Sequence, residues 1–137
     1  DWHPEIQEIL ESTKPGSLYK WGLHDRAPMN VWSKGRFSLL GDAAHPMLPF
    51  IAQGAAMAIE DGIILASSLS SFDSVALGLN DYENKRKYRT AKAQRTATRN
   101  ATIFHLSDFF AIFRNLVMKF FIKKIMDSFY KYDAISK

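Results

Sequence analysis

The sequence predicts an α/β chain in which short strands lead into a helical C-terminal half. Three observations carry this. Segments rich in aromatic and branched residues at 18–23 and 31–40 sit between turn residues, an Ala-rich run over 53–66 has helical spacing, and phenylalanines recur every three or four residues through 103–130. The chain has 137 residues, enough for one domain with a sizeable core. With 47% hydrophobic and 23% charged residues it has the composition of a globular rather than a disordered protein. The absence of cysteine excludes a disulfide scaffold, a cysteine nucleophile and a thiolate metal site. No apolar run approaches the ~18 residues of a spanning helix, and the start does not read as a signal peptide. The chain begins with Asp1 and has no methionine before Met29, which raises the expectation of a fragment.

Taken in order, residues 4–12 read as a short amphipathic helix (Ile6, Ile9, Leu10) with Pro4 in its first turn. Lys14-Pro15-Gly16-Ser17 turns the chain, and Leu18 to Leu23 reads as a strand until Asp25-Arg26-Ala27-Pro28 interrupts it. Val31 to Leu40 reads as two extended pieces around Lys34-Gly35, the second (Phe37 to Leu40) a short buried strand. That strand runs into the loop Gly41-Asp42-Ala43-Ala44-His45-Pro46, and the carboxyl ends of strands in open α/β sheets face the ligand crevice. Gln53 to Ala66 is a helix whose opening turn (Ala52, Gly54, Ala55, Ala56) carries almost no large side chain. Small residues there either leave the first backbone N–H groups open to a planar or anionic ligand or mark tight helix packing. A polar break over Ser67 to Asp73 follows, then a helix from Tyr82 to about Thr102 with Asn80 or Asp81 as its N-cap. The phenylalanine-rich remainder is one amphipathic helix or two, with Ile125 on the apolar side and Lys119, Lys123 and Lys124 on the wet side.

Charge is uneven. Residues 1–70 carry three more acids than bases, and residues 71–137 seven more bases than acids, for a net +4. The excess centres on Lys85, Arg86, Lys87, Arg89, Lys92, Arg95 and Arg99, which read first as a solvated helix face.

The histidines are scattered, with neither HxxxH nor HExxH, so no metal site is expected. No Gly-x-Ser-x-Gly elbow, Walker loop or Gly-x-Gly-x-x-Gly occurs. Glu60 and Asp61 are adjacent on a helix and point about 100° apart, so they cannot form a shared carboxylate pair.

The informative stretch is 39–66. Gly41-Asp42-Ala43-Ala44-His45, then Pro46 and Pro49, then Gln53-Gly54 opening a helix, then Glu60-Asp61, resembles the second FAD motif of the single-component flavin monooxygenases, the salicylate- and hydroxybenzoate-hydroxylase-like aromatic-ring hydroxylases. The resemblance extends upstream through Arg26, Pro28, Trp32, Gly35 and Arg36. Downstream it continues through Tyr82-Glu83, Arg86, Arg89, Gln94, Arg95 and His105-Leu106. It implies an FAD-binding Rossmann-like sheet domain, of which residues 1–70 form the C-terminal part with the flavin-facing helix, followed by a helical segment over 71–137. It also implies that Gly41, Asp42, Ala43, Pro46, Ala52, Gln53, Gly54 and Ala55 contact FAD. Within that set, Asp42 would bond the ribityl chain and the helix start would face the flavin's pyrimidine edge. Pro49 would lie beside the aromatic substrate and the reactive flavin carbon, acting through shape and its carbonyl. A histidine beside an aspartate in a loop suggests a general base, but in this family that histidine belongs to the cofactor motif. His45, Glu60, Asp61 and Gln53 are therefore expected to position helix and loop.

The chemistry implied is hydroxylation of a small phenolic or aromatic-acid substrate with O2, NAD(P)H reducing the FAD, in a cytoplasmic enzyme. The family's glycine-rich first motif, its middle Asp-Gly motif and its substrate-covering sheet are not in this sequence. The chain is thus expected to be the C-terminal third of such an enzyme, inactive by itself. Two other classes stand beside this reading, a basic helical module for nucleic acid over 85–99 and a membrane-surface helix over 103–130. A decayed, non-functional fragment is a further alternative. No nucleic-acid partner is expected on the favoured reading.

Overall fold

A computed structural model describes residues 2–135, without the side chains of Lys124 and Ile125, so their placement on the wet and apolar sides lies outside the described residues. The elements are α1 (Pro4–Glu11), the strands β1 (Ser33–Lys34) and β2 (Phe37–Ser38), a 3-10 turn (Gly41–Ala43), α2 (Gly54–Ser70), α3 (Val75–Phe104) and α4 (Asp108–Tyr130).

The predicted turn at Lys34-Gly35 forms. β1 and β2 are antiparallel with Ser33 opposite Ser38 and Lys34 opposite Phe37, and the two serine hydroxyls meet at 2.8 Å. The expected burial of the second strand does not hold, because alternation turns Ser38 inward and leaves Phe37 82% exposed. Nor does 18–23 form a strand. A strand needs a ladder partner, and among the described residues none lies beside Leu18, Tyr19, Trp21 or Leu23, all of which are exposed. The described residues are therefore mostly helical, with one two-stranded sheet among them.

The helix boundaries also shift. α2 runs through the expected polar break to Ser70, where Ser70 and Ser71 donate their hydroxyls back to the carbonyls of Ala66 and Ser67. α3 starts at Val75, capped at Ser74 rather than at Asn80 or Asp81. Asp81 instead accepts the Ser68 hydroxyl at 2.7 Å and pairs with Lys85 at 2.8 Å, tying α3 to α2. Gly78 makes this crossing close, since a Cβ there would sit a tight 3.1 Å from the Leu69 Cα. The long helical tail divides at His105–Ser107, where Arg114 donates to the carbonyls of Ile103, Phe104 and Leu106 and satisfies the end of α3.

Two small apolar clusters bind the parts. Ile51, Met57, Ala93, Ala97 and Phe129 form one, and Trp32, Ala44, Ile64 and Tyr82 the other. α1 buries nothing, and Phe109, Phe110, Phe113, Phe120 and Phe121 of α4 remain exposed.

Candidate cofactor cleft

The loop from Gly41 to Gln53 lies between α2 and α3 and is held from both sides. Gly41 sits at φ +59, the left-handed region open to glycine, and its N–H donates to Asp61 Oδ2 at 3.0 Å. Four residues on, His45 Nε2 reaches the same oxygen at 2.6 Å, with both side chains almost wholly buried. Arg86, fully buried on α3, donates through Nε to Asp61 Oδ1 at 2.6 Å, through Nη1 to Glu60 Oε2 at 2.7 Å and through Nη2 to the Met57 carbonyl at 3.2 Å. Burial alone would raise the Asp61 pKa, but the hydrogen bonds from His45, Arg86 and Gly41 outweigh it and hold the carboxyl below its ordinary value. Asp61 thus accepts as a carboxylate, and the Nε2–H of His45 is the donor between them. The other ring nitrogen, Nδ1, is buried without a hydrogen-bond partner among the described residues, as is Nε1 of Trp32, whose ring centroid lies 5.5 Å away.

One face of α3 continues this grip. Gln94 donates to the carbonyls of Pro46 and Arg26 at 3.0 and 3.1 Å, and Asn100 to that of Phe50 at 3.1 Å. Arg26 reaches the carbonyls of Ala43 and Ala44, the latter at 3.0 Å. Glu83 accepts the N–H groups of Trp32 and Ser33 at 3.0 and 2.9 Å, which fixes the hairpin above the loop. Burial raises the Glu83 pKa, but these two backbone donors together with Lys87 and the Ser33 hydroxyl hold it below its ordinary value.

These contacts shape an open cleft of about 670 Å³. Its lining contains six of the nine residues expected at the site: Gly41, Asp42, Pro49, Ala52, Gly54 and Ala55. Asp42 is exposed there. Ala52 holds φ +50, an uncommon conformation for a residue with a Cβ, worth ~1–2 kcal/mol of strain, and such strain gathers at functional loops. Gln53 precedes α2 without a side-chain cap, so the opening N–H groups of the helix at Gly54 and Ala55 meet the cleft uncovered. A Cβ on Gly54 would meet nothing within 4 Å.

The remaining three expected residues stand behind the lining. Ala43 and Pro46 offer carbonyls to Arg26 and Gln94, and Gln53 is buried with its carbonyl accepting the Met57 N–H. The Pro49 carbonyl accepts the Ala52 N–H at 3.2 Å and so closes a turn. Pro49 and Ala52 also border a second, more apolar groove of about 690 Å³ among Phe50, Ile103, Phe104, Phe110, Phe113 and Phe121.

The basic run is not merely a solvated face. Arg86 is buried, and Arg89 clamps Glu60 at 2.7 and 2.6 Å, while Lys87 bonds the Asn30 carbonyl and Glu83. The adjacency of Glu60 and Asp61 does rule out a shared carboxylate pair, yet both converge on one guanidinium. The resemblance had marked Arg26, Arg86, Arg89 and Gln94 without giving them roles, and Asn100 carried no signal. No group of three or more metal-ligating side chains occurs among the described residues, and no described helix is long and apolar enough to cross a membrane.

Comparison with known proteins identifies the family of the chain. The chain is 46% identical over 103 residues to 6-hydroxynicotinate 3-monooxygenase of Pseudomonas fluorescens, covering 72% of this chain and 26% of that protein. It is 35% identical over 130 residues to 3-hydroxybenzoate 6-hydroxylase of Klebsiella oxytoca, covering 94% of this chain and 32% of that protein. The crystal structure of Klebsiella pneumoniae HpxO complexed with FAD and uric acid superposes with a TM-score of 0.80 at 27% identity, covering 94% of this chain and 35% of that one. The chain therefore spans about a quarter to a third of the length of these relatives. Residues 1–97 match the FAD binding domain family, and on that match the chain belongs to the FAD binding domain family.

Proposed function

We propose that this chain supplies the flavin-facing part of an FAD-dependent monooxygenase that uses NAD(P)H and O2 to hydroxylate a small phenolic or aromatic-acid ring. It would act with the further two thirds that such an enzyme has in its relatives, including a unit for the FAD diphosphate. The observation that carries the reading is the convergence of Gly41, Asp42, Pro49, Ala52, Gly54 and Ala55 on one cleft. The names of the relatives, acting on 6-hydroxynicotinate and 3-hydroxybenzoate, support the substrate class.

The residues present fit the cofactor. Asp42 offers a carboxylate that accepts from sugar-like hydroxyls, as a ribityl chain requires. The uncapped start of α2 offers backbone N–H donors and the positive end of a helix dipole, suited to the negative charge of a reduced flavin. Small side chains at Ala52, Gly54 and Ala55 let a planar ring approach the backbone. Ala43, Pro46 and Gln53 hold the loop in shape through their backbone bonds. When bound, FAD supplies the redox and oxygen-transfer chemistry, and the protein orients it and keeps water out. On this reading residues 1–70 are the C-terminal part of the cofactor domain, and residues 71–137 a helical segment that braces it.

The test is FAD retention. In the longer protein that carries these residues, Asp42→Ala is expected to lower FAD content after purification while leaving the melting curve nearly unchanged. The 137-residue chain by itself is expected to show no substrate-stimulated NAD(P)H oxidation with added FAD. Unchanged FAD content in Asp42→Ala would defeat the assignment of that residue.

A further inference from the structure

Arg89 joins two parts of the fold that are far apart in sequence. Its Nε and Nη2 clamp Glu60, Nη2 also donates to the Phe129 carbonyl at 3.1 Å, and its guanidinium carbon lies 3.8 Å from the centroid of the Tyr132 ring. Glu60 is shared, since its Oε2 also takes Arg86 Nη1. Arg86 holds Asp61, and Asp61 holds the N–H of Gly41 and the ring of His45. A continuous series of ion pairs and hydrogen bonds thus runs from the last turn of α4 to the residue that opens the cofactor cleft.

Three features make this more than a local brace. The side chains of Arg86, Glu60, Asp61 and Arg89 are at most 14% exposed, so water does little to screen or replace a lost partner. Phe129 is anchored in the same cluster as Met57, whose carbonyl Arg86 also holds, so the apolar and polar seats of the C-terminal segment move together. At the other end the tolerance is small, because a Cβ on Gly41 would lie 3.3 Å from the Ala58 Cβ. A shift of Asp61 is transmitted to a backbone with little room beside it.

We propose that residues 129–132 form a clasp that sets the shape of the cofactor cleft, with Arg89 and Tyr132 as positioning residues acting through Glu60, Arg86 and Asp61 on Gly41 and His45. The proposal rests on the cofactor reading above. It assigns to the C-terminal segment a role in cofactor affinity although that segment does not line the cleft.

The experiment compares the longer FAD-loaded protein with its Arg89→Met, Tyr132→Ala and Tyr132→Phe variants. FAD affinity is measured by titrating the stripped protein, alongside the visible band and reduction potential of the bound flavin and a far-UV circular dichroism melt. Arg89→Met and Tyr132→Ala are expected to weaken FAD about three- to thirtyfold and to shift the flavin band, the range for substitutions along a coupling network. Tyr132→Phe keeps the ring over Arg89 and is expected to stay within about twofold. The Tyr132 pair decides the matter if Arg89→Met fails to fold. Equal losses in Tyr132→Phe and Tyr132→Ala overturn the clasp, as does a Tyr132→Ala protein whose affinity and flavin band are unchanged. An unsubstituted protein that does not bind FAD overturns the cofactor reading itself and the clasp with it.

Discussion

Replacing Arg86 with methionine is expected to be among the most damaging single changes in this chain. The guanidinium is fully buried and serves Asp61, Glu60 and the Met57 carbonyl at 2.6, 2.7 and 3.2 Å. Glu60 keeps Arg89 in the variant, but Asp61, itself fully buried, loses its cationic partner and is left with His45 and the Gly41 N–H as donors. Methionine fills much of the vacated stem, so the cavity contribution is small and the loss is chiefly electrostatic. Removing one partner of a buried ion pair costs ~3–5 kcal/mol, which compares with a whole-domain stability of about 5–15 kcal/mol. For a chain of this size that corresponds to a fall in Tm of roughly 10–20 °C. Far-UV circular dichroism melts measure it directly, since α2, α3 and α4 dominate the signal. A double variant, Arg86→Met with Asp61→Leu, removes both charges and is expected to be less damaged than the sum of its parts. A single variant within about 1 kcal/mol of the parent would refute the reasoning, and so would strict additivity in the double.

Further outcomes follow from the same contacts. Asp61 and Glu83 are held below their ordinary pKa values, so the stability they contribute is present above the carboxylate range and is lost as pH falls through their folded values. Acid titration of the melt should therefore show a steep loss below about pH 4. Gln94→Leu leaves the Pro46 and Arg26 carbonyls without their side-chain donor and is expected to cost ~1–3 kcal/mol by denaturant titration. Phe120→Ser on the exposed flank of α4 is expected to change stability by less than about 0.5 kcal/mol and to reduce self-association in light scattering.

Much of the local architecture was legible in the residues. Pro4, Gly35 and the Ala-rich opening of α2 act through backbone rules that span a few positions, and each produced the element expected of it. The errors have a common cause. Segment 18–23 has strand-like residues but no ladder partner among the described residues, and Asp81 could cap a helix but instead bonds Ser68 and Lys85. In each case a partner distant in sequence, or its absence, overrode the local preference.

The site divides along the same line. The sequence alone located the loop that starts at Gly41, the Asp42 within it and the small residues that open α2. Spacing and turn chemistry are properties of neighbours. Only the tertiary structure decided which charges turn inward. His45 and Asp61 are 16 positions apart, Asp61 and Arg86 are 25 apart, and Glu83 reaches Trp32 across 51. Burying such groups costs several kcal/mol unless each meets a partner of opposite charge or a backbone donor, so their fate rests on the pairing that the fold completes.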